Sequence, residues 1–376
     1  MDSIQMVDLV SQYQKIKNEV LEGFNEILES AQFINGPAVK DFSKQLADYH
    51  DCKHAVPCGN GTDALQIALM ALDLEAGDEV ITTPFTFVAT AEVIALLGLK
   101  PVFVDVHPDT FNIDERKIER NITDRTKAII PVHLFGQCCN MEPILALAEQ
   151  YDIAVIEDNA QSIGAHYSNQ AGERVSSGAI GDMGTTSFFP SKNLGGYGDG
   201  GAIVTNDDHY AERLHSVCNH GSKVKYYHDN VGVNSRLDTL QAHVLNVKLK
   251  YLNDYIKARQ SAASRYDELL ADLDHVQTPA RADFSTHVFH QYTLKVPEEV
   301  RQGLMQALKD NDIPCAIYYP VPLHLQDAYQ HYGYQKGDFP VTEQLSKEVI
   351  SLPMHTELTE EQQTYISDTI YKFFNG

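Results

Sequence analysis

The sequence predicts an α/β protein, with a large domain on a mainly parallel sheet over residues 1–250 and a smaller C-terminal α+β domain over 251–376. Three observations lead there. Over residues 52–206, short runs rich in β-branched residues alternate with stretches whose apolar residues recur at helical spacing, the signature of successive βα units. Beyond residue 206 that alternation gives way to longer helical periodicities with two strand-like runs. A chain of 376 residues is also long enough for two cores of roughly 100–200 residues each.

Taken in order, the strand-like runs are 54–57, 79–83, 101–106, 127–133, 154–157, 185–189 and 201–205. Helical spacing fills 62–74, 86–97 and 141–151, so helices are expected on both faces of the sheet. A further helix is expected up to residue 220, then a polar, basic loop over 222–230 and helical periodicity over 236–273. The smaller domain is read from strands at 291–296 and 315–319 and helices at 301–310 and 359–374. The domain boundary is placed within or just after the long helix.

A formal charge of -23, from 52 acidic against 29 basic residues, argues against binding nucleic acid or an anionic membrane surface. An anionic ligand would need local cations and helix N-termini. Residues 1–20 lack an apolar secretory core and no run approaches a membrane span, so a cytoplasmic protein is expected. The six cysteines show neither C-x-x-C nor zinc-like spacing, which points to reduced thiols and to no structural metal.

The most informative segment is Ser187-Phe188-Phe189-Pro190-Ser191-Lys192, followed by five glycines among residues 195–201. An amine that forms a Schiff base must be held away from bulk water beside a carbonyl cofactor, and glycines let backbone approach that cofactor. Gly196-Tyr197-Gly198-Asp199-Gly200-Gly201 also matches G-x-G-x-x-G. It runs into a β-like stretch rather than opening a helix, so the dinucleotide reading is rejected.

Other motifs gather around this one. Cys58-Gly59-Asn60-Gly61-Thr62-Asp63 lies where a strand hands over to a helix, and either a phosphate site or an ordinary helix start capped by Asn60 or Thr62 fits it. The run 154–157 leads into Glu157, Asp158 and Gln161, where alternation aims one of the two carboxylates at the crevice beyond the sheet. An aspartate there can keep a pyridine nitrogen protonated, and Gln161 can donate to a ring oxygen; an acidic helix cap is the alternative. Ser187 can bond the same phosphate, and Phe87 either stacks on a flat ring or packs in the core. Ser235 and Asp238 form a candidate S-x-x-D capping box, leaving Asn234 and Arg236 to reach an anion.

With Asn60-Gly61-Thr62-Asp63, Glu157-Asp158-x-Ala160-Gln161, Ser187-Phe188-Phe189-x-Ser191-Lys192 and Asn234-Ser235-Arg236 in this order, nearly the whole chain resembles the DegT/StrS-type nucleotide-sugar aminotransferases. The resemblance implies a type I aminotransferase fold and pyridoxal 5'-phosphate. It implies Lys192 as the Schiff-base lysine, Asp158 on the pyridine nitrogen, Gln161 on the ring hydroxyl and Phe87 stacked on the ring. Gly61, Thr62 and Ser187 would hold the phosphate, and Asn234 would reach a phosphate across the boundary of a homodimer with shared active sites. Related dehydrases carry histidine where Lys192 stands, so lysine favours transamination, with L-glutamate giving 2-oxoglutarate and a ketosugar receiving the amine. A protein that binds the cofactor without turnover is the other class of reading.

Within the family, long stretches including Gly232-Val233-Asn234-Ser235-Arg236-Leu237-Asp238 and Ser351-Leu352-Pro353-Met354-His355 look most like the UDP-2-acetamido-2-deoxy-3-oxo-glucuronate aminotransferases of O-antigen synthesis. Arg236 is the candidate partner of that sugar's carboxylate, since a guanidinium offers a bidentate match. Where those enzymes tend to have His-Tyr-Pro, this chain has Tyr318-Tyr319-Pro320, with His324 following; Tyr319 and His324 are the other candidate sugar contacts. The thymidine-diphosphate 3-keto-6-deoxyhexose aminotransferases, whose substrate lacks the carboxylate, are the nearest alternative.

Overall fold

Before the first strand run, Asp8 accepts a hydrogen bond from the Ser11 amide at 2.9 Å and starts a helix, α1 (Leu9–Ser30). Pro37 opens a second, α2 (Pro37–His50). Neither helix is among the elements expected from the sequence pattern. A computed structural model of the protein describes residues 3–375.

The βα alternation then follows as β1 (His54–Cys58), α3 (Gly61–Met70), β2 (Glu79–Thr82), α4 (Ala89–Leu96), β3 (Lys100–Phe103), β4 (Thr126–Ile129), α5 (Met141–Tyr151) and β5 (Ala154–Asp158). A small hairpin of β6 (His166–Ser168) and β7 (Arg174–Ser176) precedes β8 (Met183–Ser187) and β9 (Gly201–Thr205). Seven strands form one sheet in the order β1-β9-β8-β5-β4-β2-β3, and only β9 runs against its neighbours.

Alternation along the central strands supplies both faces with apolar side chains. Ile81, Val155 and Val204 enter the core that also holds Phe42, Leu46 and Phe188. Their chain neighbours Val80, Ile156 and Ile203 enter the opposite core, with Leu65, Ile67 and Ile94. The sheet is thus covered on both sides, as the α/β class expected from the sequence requires.

The chain continues through α6 (Asp208–Cys218), α7 (Thr239–Leu249), α8 (Leu252–Leu270), β10 (Tyr292–Lys295), α9 (Glu298–Asp310), α10 (Pro340–Glu348), β11 (Val349–Leu352) and α11 (Glu360–Asn375). The β10–β11 pair is antiparallel, and a third core forms around Tyr266, Tyr292, Leu304, Ile350 and Ile366. Helix α8 serves two cores: Leu252 and Ile256 pack with the large sheet, and Ala263, Tyr266 and Leu270 with the C-terminal core. Among the described residues no helix is long and apolar enough to cross a membrane.

Three expectations need correction. The periodicity over 236–273 is two helices, with a break at Lys250 and Tyr251 where a helix buried on most sides gives way to one buried along a single face. The expected strand at 315–319 is reduced to one bridge between Ala316 and Ser351; Pro320 and Pro322 follow, and proline brings no amide to extend a ladder. The Ser235/Asp238 capping box is not made. Asp238 precedes α7 without a side-chain cap bond, because Ser235 is used elsewhere: it accepts from the Gly59 amide at 2.8 Å and donates to Asp63 at 2.5 Å.

The end of β5 separates the two adjacent acids. Glu157 is fully buried and accepts from His133 Nε2 at 2.7 Å and from the amides of Gly178, Ile180 and Gly181 at 2.8, 2.6 and 2.7 Å. His133 Nδ1 accepts from the Cys139 amide, which leaves Nε2 as the donor to Glu157. Glu157→Ala should cost about 3–5 kcal/mol in urea unfolding, because it strands a buried donor set. Glu157→Gln should cost less, its one acceptor oxygen retaining part of the set.

Candidate active site

The C-terminal ends of β1, β2, β5 and β8 open onto one cavity of about 590 Å³, the position at which open α/β sheets bind ligands. Each strand end delivers a residue type that stands out in the sequence. The turn from β1 into α3 brings Gly61 and Thr62, that after β2 brings Phe87, that after β5 brings Asp158 and Gln161, and the end of β8 brings Ser187. Lys192 stands in the loop that crosses from β8 to β9, and Tyr319 comes from the C-terminal part of the chain.

Local chemistry explains the cradle. Asn60 caps α3, its Oδ1 accepting from the Asp63 amide at 2.8 Å, while the amides of Gly61 and Thr62 precede the first intrahelical bond. A Cβ on Gly61 would lie 2.6 Å from Ser187 Cβ, so only glycine lets the helix start and the serine come together. Phe87 is 55% exposed and so is not a core residue; its ring faces the cavity, 6.5 Å from that of Tyr319 between centroids.

Asp158 is 6% exposed and turns toward the cavity, away from the cluster that holds Glu157. Thr90 donates to its Oδ2 at 2.8 Å and the Ala160 amide to its Oδ1 at 3.2 Å. Burial pushes its pKa up, against these two bonds and the charge of Lys192. The same burial, opposed by Asp158, brings the Lys192 amine down to about 8 from 10.5. Lys192 keeps partial exposure to the cavity. Gln161 accepts from the Phe135 amide at 2.8 Å and donates to the Tyr319 hydroxyl at 3.1 Å. Burial raises the pKa of that phenol.

Three of the predicted site residues are not brought to this cavity. Arg236 lines a separate, larger cleft of about 960 Å³ beside β1 and α2, with its Nε buried and unpartnered. Asn234, exposed, is bridged to Asn219. His324 is fully buried, 3.1 Å from Glu343 and packed on Phe339. Conversely, two residues of the site escape the sequence reading. Thr90 is an ordinary helix residue until the fold sets it against Asp158, and His290, which precedes a strand and belongs to no motif, lines the cavity.

An amine held near neutrality, a buried carboxylate, a half-exposed phenyl ring and two free amides beside a hydroxyl form the donor set that a flat phosphorylated pyridine aldehyde requires. Fold and site together define a pyridoxal-phosphate-dependent aminotransferase. The DegT/DnrJ/EryC1/StrS aminotransferase family model matches residues 14–371, and the chain belongs to that family. It is 48% identical over 374 residues to a pleiotropic regulatory protein of Geobacillus stearothermophilus, covering 99% of both chains. It is 45% identical over 355 residues to the UDP-2-acetamido-2-deoxy-3-oxo-D-glucuronate aminotransferase of Pseudomonas aeruginosa, covering 94% of this chain and 96% of that one. The crystal structure of S. venezuelae DesV in complex with a ketimine intermediate superposes with a TM-score of 0.94 at 35% identity, with 99% of each chain covered. The protein is a nucleotide-sugar aminotransferase that uses pyridoxal phosphate.

Only the free amine attacks the cofactor's carbonyl, so capture of pyridoxal phosphate by the cofactor-free protein should accelerate with pH and reach half its limiting rate near pH 8. Below that pH the amine is protonated and capture slows. A half-point near 10.5, the value of an ordinary lysine, would contradict the burial argument.

Proposed function

We propose that the protein moves the amino group of L-glutamate to the C3 ketone of UDP-2-acetamido-2-deoxy-3-oxo-glucuronate, in the assembly of a surface polysaccharide such as O-antigen. The observation that carries the reaction is the meeting of Lys192, Asp158 and the Gly61–Thr62–Ser187 cradle in one cavity. The choice of sugar rests on the P. aeruginosa relative named for that substrate.

Pyridoxal phosphate, when bound, supplies an electron sink for the carbon that carries the migrating nitrogen. Lys192 would hold the cofactor and, once displaced by the donor's amine, its Nζ would take the proton from the donor's α-carbon. Its amine can do so because burial leaves part of it unprotonated near neutral pH. Asp158 would keep the ring nitrogen protonated, Gln161 would offer its side-chain amide to the ring oxygen, and Phe87 would cover a ring face. The amides of Gly61 and Thr62 and the Ser187 hydroxyl would hold the phosphate.

A second copy of the chain completes this reading. Among the described residues lining the cavity, Lys192 is the sole lysine or arginine, so the anionic substrate needs a cation from elsewhere. Val224, Tyr226, Tyr227 and Val231 are 63–85% exposed on the loop that leads to Asn234 and Arg236, an apolar surface that a homodimer would cover. The partner subunit's Asn234 and Arg236 would then meet the cofactor phosphate and the uronate carboxylate.

Glutamate should bleach the cofactor's visible absorbance, and UDP-2-acetamido-2-deoxy-3-oxo-glucuronate should restore it faster than a thymidine-diphosphate 3-keto-6-deoxyhexose. The reverse preference would move the substrate to the deoxysugars. Lys192→Ala should lower turnover by at least about 10³-fold. Lys192→Ala and Arg236→Ala protomers, each inactive alone, should regain activity when mixed and reassembled. No recovery would argue against shared sites.

A further inference from the structure

Lys248 is a charged group that the roles above leave unused. It lies on α7, is 1% exposed, and its Nζ donates to the Gly195 carbonyl at 2.7 Å. The amine also lies over the ring of Tyr197, 5.0 Å from the centroid. Among the described residues no carboxylate pairs with it, and burial alone brings its pKa down to about 8. An apolar side chain would fill the same space without burying a charge, so the hold on Gly195 is what a lysine adds.

Gly195 closes the loop that carries Lys192. The Lys192 amide donates to the Phe189 carbonyl and the Gly196 amide to the Phe188 carbonyl, both at 2.8 Å. A Cβ on Gly195 would lie 2.2 Å from the Pro190 carbonyl oxygen, so the two ends of the loop meet backbone to backbone. Asn193 donates to the Val288 carbonyl at 3.2 Å, and the Tyr197 amide donates to Gln241 of α7 at 2.7 Å. Among the described residues the Lys192 amine takes no hydrogen bond of its own; it feels burial and the charge of Asp158. This backbone therefore decides where the amine stands, and Lys248 is the charged member of the set that holds it.

We propose that Lys248 is a positioning residue for Lys192, fixing through the Gly195 carbonyl the loop from which that amine reaches the donor's α-carbon. The inference rests on the role given to Lys192 above and adds the group that keeps its loop in place. While Lys192 is joined to the cofactor, that bond also holds the amine. After the donor's nitrogen displaces it, the loop alone sets its distance from the α-carbon, so a loosened loop costs rate rather than donor binding.

The test uses the holoenzyme and follows the cofactor absorbance through a single turnover with glutamate. Lys248→Met, which keeps an unbranched chain and removes the donor, should lower the limiting rate about 10- to 100-fold while the half-saturating glutamate concentration stays within about threefold. Lys248→Gln, whose side-chain amide can still donate toward Gly195, should recover part of that rate. Val247→Ala, a cavity made on the same helix, should lower the urea midpoint yet leave the limiting rate within a few fold. Cofactor-free Lys248→Met should also capture pyridoxal phosphate about tenfold more slowly than cofactor-free wild type. A wild-type limiting rate in the folded Lys248→Met protein, or an equal loss in Val247→Ala, would overturn the assignment. Wild-type holoenzyme that glutamate fails to bleach would instead overturn the aminotransferase reading, and the capture rates would still report on Lys248.

Discussion

The arrangement depends on one local constraint: β5 ends in two consecutive carboxyl groups that strand alternation must send to opposite sides. Glu157 goes inward, where His133 and three amides surround it. Those contacts fasten the segment after β7 to the end of β5. Asp158 is thereby turned toward the cavity, with Thr90 donating to its Oδ2. Exchanging the two acids would put a carboxyl among donors shaped for a longer side chain and leave the cavity with the wrong reach. The structural acid thus determines where the functional acid points.

The second feature is the way the C-terminal part of the chain is tied to the site. Phe135 receives the His290 amide through its carbonyl and gives its own amide to Gln161, which in turn donates to Tyr319. Arg259 carries the same connection to α8, whose two halves lie in two different cores. The segment around residues 287–291 and the aromatic pair Tyr318–Tyr319 therefore share one hydrogen-bonded frame with the end of β5. Rigid support of this kind is what lets a binding site keep its geometry when loops supply its side chains.

Much of the fold is legible in the chain because its signals are local. The β-branched runs and helical spacings over 52–206 reproduce the order of the seven main-sheet strands and the three helices between them, since a strand buried on both faces must be apolar throughout; the short β6–β7 hairpin, too brief to show a period, is missed. Lys192, Asp158, Gly61, Thr62, Phe87, Gln161 and Ser187 stand out in short motifs, and all line one cavity. The failures have physical causes as well. Ser235 looks like a helix cap because capping is a local pattern, yet a contact with Gly59 and Asp63, far away in sequence, claims its hydroxyl. Thr90 and His290 carry no motif, since only the fold brings the one against Asp158 and the other to the cavity wall.

Short-range chemistry is enough to specify the βα order, the glycine-rich turn that carries Lys192, and the residue types at the strand ends. These follow from periodicity, turn chemistry and the steric freedom of glycine, all of which act over a few residues and can be read from the chain. Long-range packing settles the rest: which of Glu157 and Asp158 faces the ligand, that β9 runs against its neighbours, and that Arg236 opens on a different cleft from Lys192. It also brings a histidine from the C-terminal part of the chain to the cavity wall. Such choices are made by contacts between residues far apart in the chain, and burial and hydrogen bonding at those contacts outweigh any local preference.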